Sequence, residues 1–199
     1  GLHVPLIVHV PERWRAHAGI GEPGSNTDRL VGFVDLGPSV LSLAGLPTPE
    51  WMHGAAFLGP HASAPKTTLL GYRGRMDERD DLVRTLTDGR YVYVRNFMPW
   101  LPLGQHTAYM FQTPTTVVWK RLFDAGQLNR VQAAYWLPRP PEELYDLRAD
   151  PQETTDLMRS EVTFGWVVGA ALRPVIALNQ SAQEFPHIPV GEEDFNGYG

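Results

Sequence analysis

The stretch DLVRTLTDGRYVYVRN, residues 81–96, alternates β-branched, aromatic and polar side chains on either side of Asp88-Gly89. Alternation is the period of a half-buried strand, and Asp-Gly is a strong short-range signal for a tight hairpin. Two antiparallel strands are therefore expected, with Tyr91, Tyr93 and Arg95 on one face and Val92 and Val94 on the other. Upstream, TTLLGYR (67–73) reads as a further strand, and downstream Glu143 to Leu147 reads as another, followed by a turn at Ala149-Asp150-Pro151. Between them, PTTVVWKRLFDAG and LNRVQAAYW read as two short helices separated by Gly126.

The pattern differs closer to the start. In RLVGFVDLGPSVLSLAGLP, Arg29 to Val34 suits a short strand, Asp35 suits a helix cap, and Pro38 sits in the first turn. Val40, Leu41, Leu43 and Ala44 then fall at helical spacing before Gly45 ends the helix. Pro11 to Asp28 is rich in Gly, Pro, Arg and His and reads as a loop, and Pro47 to Pro65 as an irregular connection and subdomain boundary. GLHVPLIVHVP (1–11) reads as a buried strand that needs neighbours on both sides.

The 199 residues are 43% hydrophobic and 20% charged, enough for a sizeable core, with a formal net charge of -5. Such a balance does not suggest an electrostatic grip on nucleic acid or an anionic membrane. The longest weakly charged run, Gly165 to Leu178, is short for a bilayer span and contains Arg173 and Pro174. There is no cysteine, so disulfides, thiolate metal sites and a cysteine nucleophile are excluded within these residues.

Familiar catalytic signatures are missing: GxSxG, a Walker loop, GxGxxG and HExxH do not occur. Ser63-Ala64-Pro65-Lys66 imitates a nucleophile motif but lies in a loop, and the seven histidines show no metal-ligand spacing. The unusual cluster is Arg73 to Asp81, with three arginines and four carboxylates. It can be a solvated, self-paired loop. It can also present guanidinium forks to a sulfate, phosphate or carboxylate. Phe97-Met98-Pro99-Trp100 suits packing better than a sugar platform.

The order of segments resembles the C-terminal portion of sulfatases of the alkaline phosphatase superfamily. GLHVPLIVHVPERW is similar to that family's G-x-x-VPLIV-x-x-P strand, and RLVGFVDLGPSVLSLAGLP to its VDL-x-PT-x-L-x-LAG-x-P strand and helix. PEELYDLRADPQETTDL is similar to its ELYDL-x-x-DP-x-E ending. The resemblance covers about residues 1 to 158 and is nearest the bacterial branch of heparan N-sulfatase relatives, with an RMDER-type loop at Arg75 to Arg79.

The resemblance implies the end of an alkaline-phosphatase-like α/β sandwich (1–65), a small α+β subdomain with an antiparallel sheet (66–157) and a divergent tail (158–199). It implies hydrolysis of sulfate esters or sulfamates, with a formylglycine made within C/S-x-P-x-R and a calcium ion, neither of which can be assigned to a residue here. The chain alone is expected to be inactive and to bind no calcium. The implied substrate-binding candidates are His3, Arg73, Arg75, Asp77, Glu78 and Arg79, and the implied partner is a sulfated small molecule or glycan, without nucleic acid or membrane. A periplasmic or secreted location would fit the family. The first strand is then an interior strand whose neighbours carry the nucleophile and metal site, so its edges are expected to be exposed and unpaired. A phosphodiester or phosphonate hydrolase of the same superfamily and a non-catalytic anionic-glycan module are the alternatives.

Overall fold

The computed structural model describes residues 4–75 and 77–159. His3, the apolar run 165–178 and nearly all of the expected tail lie outside the described residues. Gly1–Leu157 groups as one unit. Its centre is a four-stranded antiparallel meander in the order β1-β2-β3-β4: β1 Leu69–Arg73, β2 Val83–Thr87, β3 Tyr91–Asn96 and β4 Glu142–Asp146. Among the described residues there are also four α-helices, α1 Glu12–Ala18, α2 Leu36–Leu43, α3 Pro114–Asp124 and α4 Arg130–Ala134, which gives a mixed α/β fold. No helix among the described residues is long and apolar enough to cross a membrane.

The hairpin forms where Asp88-Gly89 places it. Gly89 takes φ 90°, which a side-chain-bearing residue rarely adopts, and the Asp88 carboxylate accepts from the amides of Arg90 (2.8 Å) and Tyr91 (2.7 Å). The register pairs Thr87 with Val92 and Val83 with Asn96. One face then carries Val83, Val92 and Tyr145 toward the core. The other carries two cross-strand rows, Leu70–Leu86–Tyr93–Leu144 and Tyr72–Arg84–Arg95–Glu142. Burial of the Tyr93 hydroxyl, together with its hydrogen bond to Glu142 (2.7 Å), raises its pKa, so it stays a donor.

Three sequence expectations need correction. Residues 4–10 form no strand, and Ile7 is 91% exposed. No described strand lies alongside residues 4–10. The stretch read as a loop contains α1: Glu12 favours the positive helix start, Arg15 and His17 favour its end, and Gly19 at φ 64° donates to the Arg15 carbonyl (3.0 Å). The strand expected over 29–34 is reduced to a single bridge between Leu30 and Lys66, because the chain turns into a 3-10 helix at Phe33–Asp35.

Helix α2 forms as expected, and Gly45 (φ 79°) follows it. Its buried side, however, is Pro38, Ser39 and Ser42, while Val40 is 65% exposed. The irregular connection lies against that small, polar face. Ser39 Oγ donates to the Asp35 carbonyl (2.7 Å) and accepts from the Phe57 amide (2.9 Å), and Ser42 Oγ accepts from the His61 amide (2.9 Å). Hydroxyl acceptors thus satisfy a loop that makes no secondary structure of its own. Contact is close enough that a Cβ on Gly54 would lie 1.9 Å from the Val34 carbonyl oxygen.

Asp35 closes this assembly. Rather than capping α2, its carboxylate accepts from the amides of Gly32 and Ala55 (both 2.8 Å) and from Lys66 Nζ at 2.6 and 2.7 Å, at 1% exposure. Burial alone would raise its pKa; the Lys66 ammonium and the two amides outweigh burial and hold it below the usual range. Stability from such a group is complete above the unfolded carboxylate pKa and is lost as pH falls through the lower folded value. Asp35→Asn is expected to cost about 3 kcal/mol at neutral pH. In urea titrations, the gap to wild type should narrow below about pH 4. A gap that stays constant into acid would refute the charge as its cause.

Candidate functional site

The acidic and basic residues from Arg73 to Asp81 divide into an anchor and a projecting loop. Asp81, 5% exposed, is the anchor. It receives Arg139 through two bonds, Nη2 to Oδ1 at 2.6 Å and Nη1 to Oδ2 at 3.1 Å, and Arg73 Nε lies 3.2 Å from Oδ2. The Leu82 amide adds a fourth contact at 2.8 Å. Arg139 also donates to the carbonyls of Leu101 (2.9 Å) and Met98 (3.3 Å). One carboxylate therefore joins the end of β1, the start of β2, the loop after β3 and the lead-in to β4. Next to this clamp, buried Asn96 donates to the Pro140 carbonyl (2.7 Å) and to Glu143 (2.6 Å).

The projecting part is fixed at its far side. Glu78 accepts from the Ala108 amide (2.8 Å), Arg79 Nε donates to the His106 carbonyl, and Gln105 donates to the Asp80 carbonyl (3.0 Å). The Ala108 amide is the main reason the Glu78 carboxyl is held below its ordinary range. Segment 104–108 is itself seated on aromatic side chains. His106 stacks on Phe111 at 4.3 Å, and Gly104 leaves no room for a Cβ, which would fall 2.5 Å from the Trp136 ring. Trp136, 6% exposed, meets Trp119 edge-on at 5.2 Å and Tyr135 at 5.0 Å.

The sequence candidates thus fall into distinct positions. Arg73 is engaged by Asp81, while Glu78 and Arg79 tie the loop to 106–108. Among the described residues Arg75 bonds across the loop, to the Asp77 carbonyl (2.9 Å), and both residues are exposed, with Asp77 at φ 51°. His3 lies outside the described residues. Sequence reading missed Asp81 and Arg139 as a pair, because 58 positions separate them and neither stands in a local motif. Ser63 is exposed, and its carbonyl accepts from Arg29 (2.8 Å); no base is hydrogen-bonded to its hydroxyl.

Nor do the residues present suit a calcium ion. Among the described residues there is no group of three or more His, Asp or Glu side chains that could hold a metal. The two buried aspartates, Asp35 and Asp81, already have cationic and amide donors around them.

No protein-family model matches the chain. An ulvan-active sulfatase of Formosa agariphila is 32% identical over 162 residues, covering 79% of the chain and 25% of that relative. The chain is a homologue of a portion of the sulfatases. A second ulvan-active sulfatase from Formosa agariphila is 27% identical over 172 residues, and this sulfatase homologue spans about a quarter of the length of these curated relatives. Among solved structures, a 2-O GAG sulfatase covers 83% of the chain and 27% of its own length at 16% identity, with a TM-score of 0.45. A protein solved with its substrate D-glucosamine-2-N,6-O-disulfate covers 75% of the chain and 23% of its own length at 13% identity, with a TM-score of 0.41.

Two substitutions separate anchor from projection. Asp81→Asn leaves Arg139 unpaired in a buried site and is expected to lower global stability by about 3 kcal/mol in chemical denaturation. Glu78→Gln should leave the unfolding midpoint nearly unchanged while exposing the 75–79 loop to limited proteolysis. Because the Glu78 carboxyl is depressed, the wild-type loop should become equally cleavable as pH falls below about 4. Equal cleavage of wild type and Glu78→Gln at neutral pH would remove Glu78 as the tether.

Proposed function

We propose that this chain is the C-terminal part of a sulfatase-like hydrolase that cleaves sulfate esters or sulfamates of a glycan. The observation that carries the reading is the 32% identity over 162 residues to an ulvan-active sulfatase. Residues 1–65 would close the larger α/β domain, and 66–157 would form the antiparallel subdomain. Apolar side chains left on the first segment support this division: Ile7, Phe33 (80% exposed), Val34 and Val40 are costly to keep in water and suited to burial under a larger domain.

In this reading the chemistry is shared between parts of one longer protein. The 199 residues contain no C/S-x-P-x-R; Ser63-Ala64-Pro65-Lys66 is followed by Thr67 where an arginine would stand. Formylglycine and calcium would come from elsewhere in the protein. This chain would supply recognition: Arg75 carries a planar fork suited to a sulfate or carboxylate, and Asp77 can accept from sugar hydroxyls. Arg73, Glu78 and Arg79 would act as positioning residues, since their side chains are occupied in holding the loop.

Two measurements test the proposal. The chain by itself, with calcium and an aryl sulfate or a sulfated glycan, should show no turnover, and chelator-sensitive hydrolysis would refute its incompleteness. In a longer sulfatase carrying this segment, Arg75→Ala should raise KM about tenfold, the equivalent of one charge-assisted contact of about 1.4 kcal/mol, and leave kcat within about twofold. An unchanged KM would remove Arg75 from recognition, and faster turnover of a phosphate diester than of the sulfate would move the substrate to phosphate.

A further inference from the structure

The face of the sheet that buries Leu86 and Leu144 also carries a charged row toward one end, which stability alone does not account for. The register places Tyr72, Arg84, Arg95 and Glu142 side by side on successive strands. Adjacent strands lie about 4.8 Å apart, so two guanidinium-bearing residues are direct cross-strand neighbours, an arrangement that is normally unfavourable. Glu142 meets only one of them, Arg95, at 3.4 Å, and also accepts from the Tyr93 hydroxyl. Arg84 has no carboxylate partner among the described residues; its Nη1 donates to the carbonyl of neighbouring Val83 (3.0 Å).

Exposed aromatic rings bracket the two cations. Arg84 stands 5.9 Å from the centre of the Tyr72 ring, and Tyr72 is 80% exposed. Arg95 stands 5.3 Å from the centre of the Phe97 ring, itself 42% exposed. The side chains of Tyr72 and Leu70 are thus left in water on an edge strand, beside an incompletely neutralised positive pair. Flat apolar rings beside cationic donors are the makings of a sugar site, and the fork of Arg84 matches a tetrahedral or planar oxyanion.

We propose that the Tyr72–Arg84–Arg95–Phe97 row is a binding site for an anionic glycan, with sulfate groups along the glycan received by Arg84 and Arg95 and sugar rings lying over Tyr72 and Phe97. The sulfated character of the ligand rests on the sulfatase reading above. The site itself rests on the charge pair and its aromatic flanks.

The test uses the 199-residue chain with dextran sulfate, unsulfated dextran and inorganic sulfate as probes. Dextran sulfate should bind and weaken at least tenfold between low and high salt, dextran should not bind, and inorganic sulfate should compete only at millimolar levels. Arg84→Gln should weaken dextran sulfate at least fivefold while leaving the melting temperature at or above that of wild type, because it relieves the repulsion. Arg84→Lys should recover part of the affinity, and Tyr72→Ala should weaken dextran sulfate but leave inorganic sulfate unchanged. Equal binding of dextran and dextran sulfate, or wild-type affinity in the Arg84→Gln/Arg95→Gln double variant, overturns the proposal. Neither result bears on sulfatase turnover by a longer protein, so the two readings fail separately.

Discussion

The buried carboxylate of Asp81 is the constraint on which the candidate site depends. A charge taken out of water is tolerable only when it is compensated, and here Arg139 and the Leu82 amide donate to it while the Arg73 guanidinium pairs with its charge. Because these partners belong to separate stretches of chain, satisfying one side chain fixes the relative positions of all of them. The loop from Arg75 to Arg79 leaves this anchor and meets a second one at 106–108, itself seated on aromatic packing around Trp136. A loop held at both ends in this way would lose little further entropy on meeting a ligand.

Asp35 plays the corresponding part in the first segment. There the backbone is irregular between α2 and β1, and hydrogen bonds that a sheet would have made are taken over by Asp35, Ser39 and Ser42. Close approach of Gly54 to the Val34 carbonyl follows from this, since only a polar, small-residue face lets a loop backbone come so near.

What could be read in the sequence was local. The hairpin, the two helices around Gly126 and the strand at 142–146 each carry their cause within a few residues: an Asp-Gly turn, a proline at a helix start, alternating side chains. Helix α1 was hidden because its signals, Glu12, Arg15, His17 and Gly19, are the same residue types that mark a loop. The burial of α2 was hidden for the opposite reason. Its apolar spacing marked a helix, and hydrogen bonds to residues 57 and 61, far along the chain, turn Ser39 and Ser42 inward. The candidate site divides the same way: the charged cluster was visible as composition, while its sorting into anchor and projection depends on Arg139, which has no local signature.

The two arginine pairs show how context decides what a charge does. Arg73 and Arg139 converge on the buried Asp81, and the low-dielectric surroundings make that carboxylate indispensable. Arg84 and Arg95 are cross-strand neighbours at the sheet surface with one carboxylate, Glu142, beside Arg95, where water screens the repulsion and keeps it tolerable. The first arrangement has spent its charge on architecture. The second leaves Arg84 without a carboxylate partner among the described residues, so architecture does not use its charge.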